Sequence, residues 1–237
     1  MNRFSYQFPI LTYHRVGPAR HDHVPTVSGQ AFERQLSFLA KRRFRVLSLD
    51  ECIACLDRGI PLPRHSVAVT FDDGYEETYS VAWPILQRFG FPAAVFITPT
   101  EVGQQGFISW EQASAMATDG MTIGSHTMHH SYLPLVPEER LAEELIESKR
   151  VIEARVGRSV DYISYPIGGF TPRAQAVIKQ AGYRAAYTTN RLARPGGFFD
   201  RYALRRIKVT ERDAHPLVFL VKLSGYYDLF RQLKESS

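Results

Sequence analysis

The chain reads as an α/β protein, a parallel (β/α) barrel of about seven strands, deformed or incomplete at this length and folded as a single domain. Three observations predict it. Short apolar strands alternate with helical stretches from end to end of the 237 residues. Strands separated by roughly ten to twenty residues of helix join in parallel through crossover connections. No Pro/Gly/Ser-rich linker, internal repeat or low-complexity tract divides the sequence. Apolar residues at 44% and charged residues at 22% exclude disorder, and two cysteines exclude a disulfide scaffold.

In chain order, strands are expected at Phe8–Tyr13, Arg45–Leu47, Val67–Phe71, Ala93–Ile97, Thr122–Ser125, Tyr162–Tyr165, Ala185–Thr188 and Arg206–Val209. Each is a short apolar run bounded by turn or charged residues. Helices are expected at Phe32–Lys41, Asp50–Asp57, Glu77–Phe89, Trp110–Ala117, Pro137–Val156 and Pro172–Ala181. The helix at Pro137 has the clearest marks: Pro and two Glu open it, Leu141, Leu145, Ile152 and Val156 repeat at helical spacing, and Gly157 closes it. Ser48 and Glu51 form a capping box that opens the helix holding Cys52 and Cys55. That CxxC lacks a second cysteine pair for zinc and a preceding strand, so the cysteines read as core residues. The core spans about 9–209, and the tail from Asp213 to Ser237, with Phe219, Tyr226, Tyr227 and Phe230 among basic residues, reads as a C-terminal packing helix.

The formal charge is +5, with short basic clusters at Lys41-Arg42-Arg43 and Arg205-Arg206. Charge spread in this way reads as a solvated surface, and no nucleic-acid partner is expected. No run approaches the ~20 apolar residues of a membrane span. The first residues lack an apolar h-region and a small-residue cleavage site, so a cytoplasmic protein is expected, with a trimmed exported form left open.

In a parallel barrel, groups at the carboxyl ends of strands converge on one mouth. Here His14 follows the first strand, Asp72-Asp73-Gly74 the third, His126-Thr-Met-His-His130 the fifth and Pro166-Ile-Gly-Gly169 the sixth. Adjacent carboxylates repel, so one of them needs a cation or a proton; leaving the strand at Gly74 would let both turn into the mouth. Positions 126 and 130 are four apart and can share one face of a helical turn. Two imidazoles and a carboxylate make a three-ligand divalent site with open positions. His129 points elsewhere in that geometry, and His21, His23 and His65 lie in polar loop context with no role.

Thr70-Phe-Asp-Asp-Gly-Tyr75 together with His126-Thr-x-x-His130 resembles the polysaccharide deacetylases of carbohydrate esterase family 4, over most of the chain from about Pro9 to Val209. The resemblance implies a deformed barrel, one divalent metal ion, and hydrolytic removal of N-acetyl groups from a glycan. By position it makes Asp72 the general base and gives Asp73, His126 and His130 to the metal. Zinc is expected first; cobalt, nickel or iron suit the same ligands. The family's third motif carries an Arg two residues before its Pro, where this chain has Ser164, and Arg206 is the candidate substitute. Ile167 follows Pro166 where the family has Tyr, but the backbone N–H is the group used for the oxyanion. The family's late catalytic His is missing from the C-terminal part, and Ile10-Leu-Thr-Tyr-His14 opens the chain instead. This is similar to the circularly permuted branch that acts on poly-N-acetylglucosamine exopolysaccharides, and it makes His14 the general acid. Tyr75, Trp110 and Pro166 are the expected substrate-binding residues.

The expected activity is therefore metal-dependent N-deacetylation of an N-acetylglucosamine-type glycan or glycan intermediate, releasing acetate, with an association with a membrane-bound glycan synthesis assembly as the expected partnership. Two alternatives remain open at this point. One is a metal-dependent hydrolase of a non-sugar or cyclic amide on the same barrel. The other is a non-catalytic glycan-binding protein, which the missing Arg suggests and the intact Asp72, Asp73, His126 and His130 oppose.

Overall fold

The computed structural model describes residues 8–18, 23–190 and 200–224. Its strands are β1 (Ile10–Tyr13), β2 (Arg15–Val16), β3 (Thr26–Val27), β4 (Arg45–Val46), β5 (Ser66–Phe71), β6 (Ala94–Ile97), β7 (Thr122–Ser125), β8 (Tyr162–Ser164), β9 (Ala185–Thr188), β10 (Leu204–Arg205) and β11 (Ile207–Lys208). Its α-helices are α1 (Gly29–Lys41), α2 (Leu49–Asp57), α3 (Trp83–Phe89), α4 (Trp110–Thr118), α5 (Ser148–Val156), α6 (Pro172–Gln180) and α7 (Pro216–Leu223).

Nine strands form one sheet in the order β10-β9-β8-β7-β6-β5-β1-β11, with β4 added to the start of β5, and every pairing is parallel. β10 and β11 are two halves of one stretch interrupted at Arg206. The first half pairs with β9 and the second with β1, so residues 204–208 draw the two edges of the sheet together into a nearly closed barrel. The Arg206 N–H donates to the Thr188 carbonyl at 2.8 Å, and the Val209 N–H to that of Thr12 at 2.9 Å.

Parallel strands are buried on both faces, and alternation decides what each face carries. Leu11, Tyr13, Val67, Val69, Phe71, Val95, Ile97 and Ile163 belong to the apolar layer under the helices. Ile10, Ala68, Ala94, Phe96, Tyr162, Ala185 and Tyr187 form a second cluster with Leu47, Leu49, Cys52 and Ile53, the side chains of α2 and its approach. Cys52 is thus a buried core residue, and both cysteines are unbridged. Phe96 fills this interior so closely that a Cβ on Gly124 would lie 2.5 Å from its ring, which is why β7 needs glycine there. The same phase continued toward the strand ends makes Thr12, Thr70, Ser164 and Arg206 a buried polar layer, with Asp72, His14 and His126 next above it.

The sequence-derived strands fall within a residue or two of the observed ones. The differences have local causes. The stretch 137–156 is not one helix: it runs as a single 3₁₀ turn, a π-helical turn at Glu143–Glu147 and then α5. Likewise Glu77–Phe89 opens with a π-helical turn at Thr78–Ala82 before α3. The last helix begins at Pro216, not at 213, because Thr210 and Asp213 cap a separate 3₁₀ turn at Glu211–Ala214. Tyr226, Tyr227 and Phe230 lie outside the described residues.

α7 packs by Phe219, which is buried and meets the Phe38 ring edge-on at 5.9 Å. Its Lys222 Nζ donates to the Lys208 carbonyl of β11 at 2.6 Å and to Asp213 at 2.7 Å. Phe219→Ala should therefore cost about 3–5 kcal/mol of stability, as for other buried aromatics, measured by urea unfolding at neutral pH. A loss below about 1 kcal/mol, that of an exposed side chain, would show that α7 is not part of the core.

Candidate active site

The register of β1 with β5 sets the first pair of groups. Tyr13 lies opposite Phe71, so His14 and Asp72 leave the sheet together, and the Asp72 N–H donates to the Tyr13 carbonyl at 2.9 Å. Alternation alone would send Asp73 away from Asp72. Instead Asp73 and Gly74 both take left-handed backbone, with φ of 71° and 74°, and the chain turns so that both carboxylates face the mouth.

Asp72 is gripped by Arg206. The guanidinium donates to Oδ1 at 2.7 Å and to Oδ2 at 2.6 Å, and also to the hydroxyls of Thr70 at 3.1 Å and Ser164 at 2.6 Å. The Arg206 side chain is 0% exposed and that of Asp72 4%. Burial alone would push the Asp72 carboxyl up, but Arg206 outweighs it, with help from His126 and His14, and brings the pKa to about 2. Ser164, at the position where the resemblance expects an arginine, makes a hydrogen bond to the guanidinium that arrives from the closing strand.

Asp73, His126 and His130 form a second group. Asp73 Oδ1 lies 3.4 Å from His126 Nε2 and 3.3 Å from His130 Nε2, yet it is buried and accepts no hydrogen bond. The three donor atoms lie within 4.8 Å of one another. His126 Nδ1 is 2.8 Å from the Ser164 carbonyl, which can only accept, so Nδ1 carries a proton, and the neutral ring in that tautomer presents its Nε2 lone pair to Asp73. Ligand atoms bonded to zinc at about 2.0–2.2 Å in a tetrahedral set lie about 3.3–3.6 Å apart. An orphaned carboxylate oxygen at about that distance from each of two imidazole nitrogens fits a divalent cation. Burial pushes the Asp73 carboxyl up, and the facing imidazoles of His126 and His130 pull it well below the usual range. Asp73 in turn raises His130.

The His126–His130 segment is not the helical turn that its spacing suggested. It is a loop in which Thr127 and His130 take left-handed backbone, with φ of 66° and 55°, and the two rings meet edge to face at 4.9 Å. His129 turns away to Glu144, its Nδ1 3.0 Å from Oε1. Glu144 itself was missed by sequence reasoning, although it falls on the buried stripe of Leu141, Leu145, Ser148 and Ile152.

His14 borders the carboxylates with a buried Nδ1 that has no hydrogen-bond partner. Burial lowers its pKa from the usual 6.5, with Asp72 and Asp73 pulling the other way. Ile167 sits 74% exposed at φ 57° in the 3₁₀ turn Pro166–Gly168. The turn's bonds come from the N–H groups of Gly168 and Gly169, not from that of Ile167. Pro166 is buried in this turn. Tyr75 stacks on Phe107 at 5.2 Å with the Arg15 guanidinium 4.4 Å above its ring. Trp110 is half-buried at the start of α4, with Arg155 5.8 Å over its ring, and no described contact joins it to the carboxylates and imidazoles. The His65 ring lies tilted against Phe44 at 5.3 Å, apart from this group, and His21 lies outside the described residues.

A family model described as polysaccharide deacetylase matches residues 59–186. A Bacillus subtilis (strain 168) protein named for the same family, YxkH, is 28% identical over 206 residues, covering 86% of this chain and 72% of its own. The poly-beta-1,6-N-acetyl-D-glucosamine N-deacetylase of Staphylococcus aureus (strain MRSA252) is 29% identical over 177 residues, 69% of this chain. The match spans 61% of that relative's own length, under two thirds of it. Among solved structures, IcaB from Ammonifex degensii superposes with a TM-score of 0.78 at 28% identity, covering 92% of this chain and 98% of that one. The Streptococcus pyogenes deacetylase PplD, solved with acetate, shares the fold with a TM-score of 0.82 at 24% identity over 92% and 98% of the two chains.

Removing the guanidinium tests the electrostatics of the Asp72 pair. With Arg206 present, the folded pKa of about 2 lies below the unfolded 3.8, so the stabilisation is full above 3.8 and is lost as pH falls toward 2. In Arg206→Met only His126 and His14 still oppose burial, the carboxyl rises above its unfolded value, and the variant loses stability as pH rises through that new pKa. Chelator-treated Arg206→Met should be about 3 kcal/mol less stable than the parent at pH 7, with the gap narrowing toward pH 3 in urea unfolding. A gap independent of pH would refute this reading.

Proposed function

The chain belongs to the polysaccharide deacetylase family, and on that premise we propose that it hydrolyses the N-acetyl groups of an N-acetylglucosamine polymer or a precursor of one. The products are acetate and a free glucosamine amine. The observation that carries this reading is the separation of two adjacent carboxylates, Asp72 onto Arg206 and Asp73 onto the two imidazoles, at a single strand-end mouth. The relative from Staphylococcus aureus is named for the poly-beta-1,6-linked polymer, which supports that substrate class.

Asp73, His126 and His130 would hold a divalent ion, zinc first. Such an ion supplies Lewis acidity, activating a water and polarising the acetamide carbonyl. Asp72 is the base. Arg206 keeps it ionised and fixes its plane, so that it accepts the proton of the attacking water. The Ile167 N–H, left free by its turn, donates to the developing oxyanion. His14 gives a proton to the leaving nitrogen, since an amine anion cannot leave unaided. Tyr75, flanked by Arg15 and Phe107, offers an aromatic wall to the sugar.

Acetate release from N-acetylglucosamine oligomers by chelator-treated and zinc-reloaded protein tests the activity. Asp72→Asn should retain zinc and lose at least ~10² in kcat, while His126→Ala and His130→Ala should lose the metal. Zinc lost from Asp72→Asn, or kept at full occupancy by both histidine variants, would reverse or remove these roles.

The pH profile tests His14. Its acid form is the active one, so the rate falls as pH rises through its pKa, and burial places that pKa below 6.5. The alkaline limb of kcat/KM on amides should therefore lie lower than for a free imidazole. His14→Ala should abolish that limb and slow amides far more than activated acetyl esters. Equal slowing of both substrates, or an unchanged limb, would exclude His14 as the acid.

A further inference from the structure

Two of the three residues that would hold the metal bound one loop, His126 at its start, where the N–H still pairs with the Ile97 carbonyl at 2.8 Å, and His130 at its end. Between His126 and His130 the chain has no helix or strand, and Thr127 and His130 both sit at left-handed φ. For a β-branched threonine that conformation is strongly disfavoured, and it persists only where surrounding contacts over-determine it. Those contacts converge on Glu144. Its Oε2 accepts the N–H groups of Met128 and His129, both at 3.1 Å. Its Oε1 accepts the Ser131 hydroxyl at 2.7 Å and the His129 Nδ1–H at 3.0 Å. Four donors thus point at one carboxylate that is 1% exposed.

The loop is held from its other side as well. The Thr100 hydroxyl donates to the Met128 carbonyl at 2.8 Å, so the Met128 peptide is fixed between Thr100 and Glu144. The Thr127 N–H donates to Ser125 Oγ, and the Thr127 hydroxyl accepts the Ser131 N–H, both at 3.2 Å. Glu144 stands on a helical stripe whose other members, Leu141, Leu145 and Ile152, are buried and apolar. A leucine would pack there. A buried carboxylate in its place is costly unless its hydrogen bonds are satisfied, and all the described side-chain bonds it makes go to the segment 128–131.

We propose that Glu144 is a positioning residue for the metal site: it clamps the 128–131 backbone and thereby sets the imidazole of His130 toward Asp73, beside a His126 ring that Ser164 already orients. It touches neither imidazole and acts through the loop. The inference rests on the metal reading of Asp73, His126 and His130 given above.

The test is the zinc dissociation constant, read by chelator competition, together with the visible spectrum of the cobalt-substituted protein. Glu144→Gln keeps the shape but brings an NH₂ against groups that are themselves donors. It should weaken zinc binding about 10- to 100-fold and shift the cobalt bands. Ser131→Ala removes one donor and should weaken binding about fivefold, the scale of one hydrogen bond; it carries the test should Glu144→Gln not fold. Asp213→Asn is the control. Asp213 is an equally buried carboxylate that bonds Lys222 and Thr210, away from this loop, and its variant should leave zinc affinity and the cobalt spectrum unchanged. Parent protein that binds zinc no better than His126→Ala would overturn the metal reading and this inference together. Parent binding that Glu144→Gln, or Ser131→Ala in its place, leaves unchanged would overturn the inference alone, as would an equal loss in Asp213→Asn.

Discussion

Two carboxylates adjacent in sequence and both withdrawn from water cannot be charged side by side unless each has its own positive partner. Asp72 and Asp73 are in that position, and the arrangement around them follows from how the conflict is resolved. Asp72 is given Arg206, a bidentate guanidinium that is itself fully buried. Asp73 turns through left-handed backbone to face two imidazole nitrogens across gaps suited to a cation. The guanidinium reaches Asp72 because the strand that carries it is the one that closes the barrel. Residues 204–208 pair with β9 on one side of Arg206 and with β1 on the other. Closure of the sheet and ionisation of Asp72 are therefore one structural event.

The site draws on more of the chain than the matched family segment. Residues 59–186 contain Asp72, Asp73, His126, His130 and Ile167, whereas His14 and Arg206 lie on either side. Pairing of β1 with β5 and with β11 brings those two ends together at the mouth. The guanidinium that the resemblance expects at position 164 comes instead from position 206 and bonds to Ser164, a side chain short enough to leave it room. His126 bonds the carbonyl of the same residue, so Ser164 touches both halves of the site.

Much of this was legible in the sequence because strand periodicity and strand-end position are local signals. Asp72, His126 and His14 each follow an apolar run, and the barrel needs no further information to gather them; Asp73 needs the left-handed turn at Gly74 as well. What was not legible depends on conformations that residue spacing does not encode. The four-residue spacing of His126 and His130 suggested a helical turn, but left-handed Thr127 and His130 make it a loop held from outside. Glu144 carries no motif of its own, and only its place on the apolar stripe of its helix signals burial. The π-helical turns at 78–82 and 143–147 leave the apolar periodicity almost unchanged, so the stretches read as longer helices than those observed. The two-residue strands β2 and β3 are too short for periodicity to register.

Diffraction decides whether the two neighbouring carboxylates serve different cations. Crystals of zinc-loaded protein, measured on both sides of the zinc absorption edge, should show one anomalous peak about 2.0–2.2 Å from Asp73, His126 Nε2 and His130 Nε2, with Asp72 still paired to Arg206. A peak ligated by Asp72, or zinc bound elsewhere with Asp73 left out, would contradict that division.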